Sequence, residues 1–359
     1  MEIPEKMKAA NIEEQGKISI TEKEVPEPGP EQVLLRVEAC GICGTDVKVR
    51  DQGLNAQPEF GEPLTPGHEY AGTVVKVGET VDEYEVGDRV AQEVHKGCDR
   101  CENCKDGKYT ACLNFGNKEK GHMAPGMTTD GGFAEYAVNH INTLYKLPDN
   151  VGFDQATLVT TAGCTLYALD VMGGYIAGDT VAVVGPGPIG LSLVNCAKAL
   201  GAENVILSGT RESRLEKGKK MGAEHVVNIR EGEDLTEKVM EVTDGKGADS
   251  VYEAAGAKNS LETCLDSVKP GGDVVIIAFY KKPIKVDMSK AVKRNVDMYT
   301  VRGEGRRNVG RALSLQGTGK LDPDPLITHT FPLDELNKGF EYFEGRIEDA
   351  MKVIIHPHE

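Results

Sequence analysis

Short apolar runs, each bounded by glycine, proline or aspartate, recur through the first third of the chain. Val33-Leu-Leu-Arg-Val37, Gly72-Thr-Val-Val-Lys-Val77 and Asp88-Arg-Val-Ala91 are rich in β-branched residues and predict strands. Pro26, Pro28, Gly29 and Pro30 punctuate the first connection. Around Thr180 the pattern changes. Thr180-Val-Ala-Val-Val184 is an unbroken apolar run suited to a strand buried on both faces, and Gly190 to Leu200 follows at helical spacing. Strand-like runs return at Val205–Ser208, His225–Asn228, Ser250–Glu253 and Val274–Ile277, with helical stretches between most of them. Alternation of this kind predicts a parallel sheet covered on both faces. After about residue 290 the segments are mixed again, ending in Ala350-Met-Lys-Val-Ile-Ile355. The expectation is an α/β chain in which a doubly wound domain, residues 156–289, is inserted into a β-rich domain made of residues 1–155 and 290–359.

Composition narrows the class. The 359 residues carry 41 basic and 57 acidic side chains, a formal charge of −16, with 39% hydrophobic and 27% charged residues. That balance belongs to a globular chain rather than a disordered one. An acidic surface is wrong for nucleic acid or an anionic membrane, either of which needs a basic stripe. No run approaches the roughly 20 apolar residues that span a bilayer, and Met1-Glu-Ile-Pro-Glu-Lys6 lacks a secretory apolar core. A soluble cytoplasmic protein with a small-molecule partner is expected.

Nine cysteines, an odd number, argue against a disulfide framework. Four fall in one short segment: Cys98, Cys101, Cys104 and Cys112. Four thiolates on one loop close a tetrahedral shell round Zn²⁺, and the divalent charge relieves their mutual repulsion. Such a shell leaves no position for substrate, so the lobe at 98–112 is expected to be structural. Four free thiols remain an alternative, as does an iron–sulfur site, whose usual bacterial spacing is shorter at the last interval and followed by proline.

Gly185-Pro-Gly187-Pro188-Ile189-Gly190 stands between the buried strand and the helix. In that setting it is a dinucleotide turn: one glycine for the bend, one for close approach of a pyrophosphate, one for helix–sheet packing. The helix N-terminus then presents unpaired N–H groups to the phosphates. At the end of the following strand an NAD site carries Asp or Glu for the ribose 2′-hydroxyl. Here the residues are Ser208-Gly209-Thr210-Arg211. A small residue leaves room for a 2′-phosphate and Arg211 can grip it, with Arg214 and Lys219 adding positive potential. The expected cofactor is NADP(H).

Two further segments, Gly41-Ile-Cys43-Gly-Thr45-Asp46 and Pro66-Gly-His68-Glu69, each lie beside a strand of the β-rich domain. Cys43 and His68 are ligand types that zinc prefers, although, read alone, a buried cysteine and a satisfied histidine are the favoured account of them. Asp46 and Glu69 can orient ligands or moderate the metal charge.

Taken in order along nearly the whole chain, these segments resemble the zinc-dependent medium-chain alcohol/polyol dehydrogenases. Gly41 to Asp46 and Pro66 to Glu69 look like the family's catalytic zinc segments, and the four cysteines match its structural zinc lobe. Gly132-Phe-Ala-Glu-Tyr136 resembles a strand motif of the family, and Gly185 to Gly190 its nucleotide turn. The resemblance implies a GroES-like catalytic domain, a Rossmann domain, and a homodimer or homotetramer. It also implies a reaction in which zinc polarises the substrate oxygen, Thr45 takes the proton and Lys48, where many relatives carry histidine, ends the relay. Many relatives supply a third catalytic ligand at the position of Thr161; the expected ligands here are Cys43, His68 and Glu69, with Cys164 as the alternative. The expected function is hydride transfer between NADP(H) and a secondary alcohol or carbonyl of a polyol or sugar, in a pocket drawing on Gln52, Glu93, His95 and Asn117. A simple secondary-alcohol dehydrogenase, a zinc-free quinone or enone reductase, and an inactive zinc and nucleotide binder are the competing readings.

Overall fold

The computed structural model describes residues 2–53, 64–305 and 307–359. The chain divides into two compact units. One comprises Met1–Thr160, Gly303–Gly317 and Ile327–Glu359; the other comprises Thr161–Arg302 and Thr318–Leu326.

The first unit holds β1 (Lys6–Glu14) and β2 (Lys17–Glu24) as an antiparallel pair, then β3 (Gln32–Gly41), β4 (Glu69–Val77), β5 (Arg89–Gln92), β6 (Tyr136–His140) and β7 (Leu144–Lys146). The predicted strands at 33–37, 72–77 and 88–91 are the middles of β3, β4 and β5. The second unit carries β8 (Thr180–Val184), β9 (Asn204–Gly209), β10 (His225–Asn228), β11 (Ala248–Glu253), β12 (Val268–Ile276) and β13 (Asp297–Thr300). The chain then returns to the first unit with β14 (Ile327–Pro332) and β15 (Lys352–His356).

In the second unit the order is β10-β9-β8-β11-β12-β13, all parallel. This is the doubly wound nucleotide-binding order, with its reversal between β8 and β9 on one side and β11 on the other. Thr180–Val184 is buried at every position, as a central strand covered on both faces must be. Ala182, Ile206, Val251, Val274 and Leu265 form the core beneath. One boundary differs from expectation. The parallel sheet runs past residue 290 to β13, and the main segment of the second unit ends at Arg302, with Thr318–Leu326 added to it from further along the chain. Asp297-Met-Tyr-Thr300 is an edge strand, exposed or half-buried throughout, so it lacks the apolar run that marked the other strands.

In the first unit the sheet order is β14-β15-β3-β4-β5-β7, with β6 also on β3. β3 is shared: Gln32–Arg36 pair with β6, while Cys40 and Gly41 pair with Ile355 and Ile354 of β15. On its other side Gly41 pairs with Glu69 and Cys40 with Tyr70. This register brings the ends of β15, β3 and β4 to one place, packed over Tyr70, Phe133, Ile42 and Phe340. Among the described residues, no helix is long and apolar enough to cross a membrane.

Candidate active site

The site is built where β3 ends. Ile42 N–H donates to the Val353 carbonyl at 2.8 Å, which anchors the chain to β15 immediately before Cys43. Cys43 is the N-cap of the helix Gly44–Gln52, and its own N–H donates to Asp46 Oδ2 at 2.8 Å. Asp46 is fully buried, and its other oxygen is engaged as well. Oδ1 accepts from Gly67 N–H at 3.2 Å and lies 3.0 Å from His68 Nδ1. A carboxylate only accepts, so the His68 proton belongs on Nδ1, and Nε2 is left as the ligand atom.

The His68 loop is held from behind. Gly132 N–H donates to the Gly67 carbonyl and Phe133 N–H to that of Pro66. Gly67 has φ +93°, and a Cβ there would stand 2.8 Å from both Cys40 Sγ and Phe133 N, so no larger residue fits. The Gln92 amide donates to the His68 carbonyl. The Gly132–Tyr136 motif, which the sequence offers only as a resemblance, is the bed on which this loop lies.

Sγ of Cys43, a ring nitrogen of His68 and a carboxylate oxygen of Glu69 lie within 4.8 Å of one another. His68 and Glu69 are each 4% exposed; Cys43 is half-buried and forms the open side. Glu69 Oε2 is bonded by Lys352 Nζ, a lysine 3% exposed in β15. Burial alone would lower both cations. Asp46 and Cys43 outweigh it and raise the His68 imidazole well above its ordinary value, and Glu69 and Cys43 do the same for Lys352. With the cysteine as thiolate and His68 neutral, as a metal ligand must be, Asp46, Cys43 and Glu69 face one ammonium, leaving two negative charges for a divalent cation to match. Three ligands of N, S and O type with one side open suit catalytic zinc. Glu69 can serve while paired, because a carboxylate has a second oxygen.

The four lobe cysteines also come together, their sulfurs within 4.8 Å of one another. Cys98 and Cys104 Sγ are 3.9 Å apart, and Cys101 and Cys112 4.0 Å, near the roughly 3.8 Å edge of a tetrahedron with Zn–S bonds of about 2.3 Å. Cys101 N–H and the Asn114 amide donate to Cys98 Sγ, Cys104 N–H to Cys101, and Asn114 N–H to Cys112. Against the opposing effect of burial, these donors push the Cys98 thiol down to about 6, chiefly through Asn114. Burial pushes the Cys104 and Cys112 thiols the other way, so it is the spacing of the four sulfurs, with N–H donors on three of them, that fits structural zinc.

In the second unit Gly185 has φ +108°, and a Cβ on Gly190 would lie 1.9 Å from the Gly185 carbonyl oxygen, so the turn closes only on glycine. A Cβ on Gly187 would meet nothing within 4 Å, which leaves space above the N-terminus of the helix Pro188–Ala199. This cradle fits a pyrophosphate. β9 ends at Gly209, which packs on Pro186; Thr210 is exposed and Arg211 half-buried. Glu212, the next residue, accepts from the Asn228 amide at 2.8 Å. Arg214 is buried, 7% exposed, in the helix Glu212–Lys220.

Thr45 is half-buried and Lys48 exposed, both in the helix that Cys43 caps. Thr161 and Cys164 lie in the helix Val159–Asp170 and, among the described residues, belong to neither ligand cluster. Of the expected pocket residues, Glu93 and His95 are buried, whereas Gln52 is exposed and the Asn117 side chain caps a turn by accepting from Lys120 N–H. His122 is fully buried, and its Nδ1 accepts from Gly116 N–H. Sequence reasoning missed Gln92, Glu304 and above all Lys352. The signal for Lys352 was a lone cation inside the apolar run 350–355.

Comparison with known proteins agrees with this geometry. Residues 29–149 match the alcohol dehydrogenase GroES-like domain and residues 188–316 the zinc-binding dehydrogenase domain. The chain is 38% identical over 332 residues to L-threonine 3-dehydrogenase of Pyrococcus furiosus, covering 92% of this chain and 90% of that one. It is 30% identical over 357 residues to sorbitol dehydrogenase of Bacillus subtilis, covering 99% of each. A zinc-binding dehydrogenase from Sinorhizobium meliloti 1021 bound to NADP has a TM-score of 0.85 at 29% identity, over 98% of this chain and 99% of that one. A short chain alcohol dehydrogenase from E. coli CFT073 complexed with NADH has a TM-score of 0.86 at 29% identity, over 98% and 100%. The chain belongs to the zinc-dependent medium-chain alcohol/polyol dehydrogenase family.

Proposed function

We propose that the protein is an NADP(H)-linked, zinc-dependent dehydrogenase acting on a secondary hydroxyl, or its carbonyl, in a polyol or sugar-like substrate. The observation that carries this reading is the Cys43, His68 and Glu69 cluster, whose charge, with Asp46 and Lys352, a divalent ion balances.

Cys43 Sγ, His68 Nε2 and Glu69 would hold zinc, which when bound supplies Lewis acidity toward the substrate oxygen. Asp46 fixes the His68 tautomer and, through the Cys43 N–H, the approach of the sulfur. Thr45 Oγ1 accepts the proton of the substrate hydroxyl as it passes its own on toward water, and Lys48, exposed on the same helix, can relay it only as the neutral amine. A dinucleotide on the Gly185–Gly190 turn supplies the hydride acceptor. NADP is favoured over NAD because β9 ends without an acid, because Thr210 is small and exposed, and because Arg211 can meet a phosphate. The polyol class is supported by the sorbitol dehydrogenase relative and by the buried polar residues Glu93 and His95. A soluble homo-oligomer is the expected form, supported by apolar residues exposed in the second unit.

Steady-state kinetics with both nucleotides test the reading. Wild-type kcat/KM is expected to favour NADP⁺ by at least about 10-fold, and Arg211→Ala to abolish that preference. A wild-type preference for NAD⁺ would overturn the cofactor. A Cys43→Ala protein that kept most of its turnover would overturn the role of the metal.

A further inference from the structure

A second pair of buried carboxyls lies in the first unit, beside the metal ligands. Glu93 follows directly on Gln92, the residue that holds the His68 carbonyl. Both Glu93 oxygens are taken: the Tyr109 hydroxyl donates to Oε1, and the Tyr145 hydroxyl to Oε2 at 2.8 Å. The other member is Glu304, 4% exposed, in the segment 303–317 that joins the first unit from far along the chain. Its Oε2 is buried and has no hydrogen-bond partner among the described residues. An open buried oxygen of this kind costs stability, and a protein keeps it where an incoming group completes it.

Gly303 sets where Glu304 stands. It has φ +75°, and a Cβ there would lie 2.6 Å from Thr110 Cγ2 and 3.4 Å from His95 Cδ2. The backbone is therefore pressed against the root of the cysteine lobe and against His95, two residues after Glu93. Burial first, and then the Glu93 carboxylate, push the Glu304 carboxyl up to about 8; it also lies within electrostatic reach of His68 and Glu69. Yet Glu304 is outside the ligand cluster, which among the described residues contains Cys43, His68 and Glu69 alone. It is a buried carboxyl within electrostatic reach of the metal ligands, with one oxygen unpartnered among the described residues, and neither metal binding nor proton transfer uses it.

The chemistry of the neighbourhood selects what completes it. A carboxyl oxygen bonds a hydroxyl in either protonation state, because a hydroxyl both donates and accepts. A substrate carboxylate would instead enter a field already set by Glu69 and Glu93. We infer that Glu304 is a specificity-determining residue: its Oε2 hydrogen-bonds a second hydroxyl of the substrate, adjacent to the carbinol that reacts, and so selects vicinal diols and higher polyols over simple secondary alcohols. This rests on the polyol reading above.

The test compares 2,3-butanediol with 2-butanol in the zinc-loaded holoenzyme, as wild type, Glu304→Gln and Glu304→Ala. Wild type favours the diol. Glu304→Ala is expected to lose about 10- to 100-fold in diol kcat/KM, mostly through KM, and less than about 3-fold with 2-butanol. Glu304→Gln, which keeps the shape and a hydrogen-bonding oxygen, falls between and guards against a folding defect. Calorimetric titration of the diol into each protein should follow the same order, with zinc content unchanged. Equal losses on both alcohols, or an unchanged diol preference, overturn the role of Glu304. A wild type that oxidises 2-butanol and not the diol overturns the polyol reading itself, and the two failures are told apart by the wild type alone.

Discussion

Lys352 is buried because Glu69 is, and each makes the other tolerable. An ammonium and a carboxylate inside a protein are costly singly, and removing one partner of a buried pair costs about 3–5 kcal/mol. The pair here has a third participant, since Glu69 also belongs to the cysteine–histidine cluster. In Lys352→Met the metal-free protein loses the ammonium and keeps the carboxylate. It is expected to lose about 3–5 kcal/mol of stability at neutral pH. Zinc then gives Glu69 a cation again, so saturating zinc should raise Tm more in the variant than in wild type. Thermal unfolding of both proteins, with and without zinc, measures this. The lobe cysteines are common to both, so the difference reports on Glu69. An unchanged metal-free stability, or an identical zinc increment, would remove Glu69 from the metal shell.

The elements that the sequence made legible are those whose environment leaves a local trace. Thr180–Val184 is buried at every position, so its apolar run survives in the primary structure. The four cysteines and the glycine turn were readable because their geometry is closed within a few residues. β13 left no such trace because an edge strand with one row of partners needs no apolar run. Lys352 and Glu304 were hidden for another reason: their partners Glu69 and Glu93 lie more than half the chain away, and only register brings them together. β15 has a comparable long-range tie at its other end, where His356 Nε2 lies 2.8 Å from Asp154 Oδ1 in the helix Phe153–Thr157. The bond to Asp154 raises the His356 pKa, against a smaller opposing effect of burial. A folded pKa above the unfolded value of about 6.5 means that the proton favours the folded state. The stabilisation is therefore complete below about pH 6.5 and lost as pH rises through the raised value. The pair is partly exposed, so its contribution is about 0.5–1 kcal/mol. His356→Gln should lower the urea midpoint at about pH 5.5 and leave it nearly unchanged at about pH 9. Equal losses at both values would mean that packing, not charge, joins β15 to that helix.

At the scale of the molecule, the homo-oligomer proposed above would have to bring together copies that each carry a charge of −16. Like-charged copies repel, so contact is easiest through the least acidic surface. One candidate is the segment after β12 in the second unit, where exposed lysines outnumber the exposed acids Asp287 and Asp297. Phe279, Met288 and Val292 are 67%, 50% and 80% exposed, and Lys281, Lys282, Lys285 and Lys293 are exposed around them. In sequence they directly precede β13, the edge of the parallel sheet, whose outer row of N–H and C=O groups has no strand partner among the described residues. An apolar patch with a basic rim beside an open sheet edge is a self-complementary surface for a two-fold contact. Wild type is expected to run as a dimer or tetramer in light scattering. Phe279→Glu with Val292→Glu adds two charges to the patch and touches no core, so circular dichroism should not change while the mass falls toward that of a single 38.7 kDa chain. Added salt screens the repulsion and should strengthen assembly of the wild type without restoring it in the double variant. A wild type already of single-chain mass, or a double variant that stays assembled, would place the contact on another face.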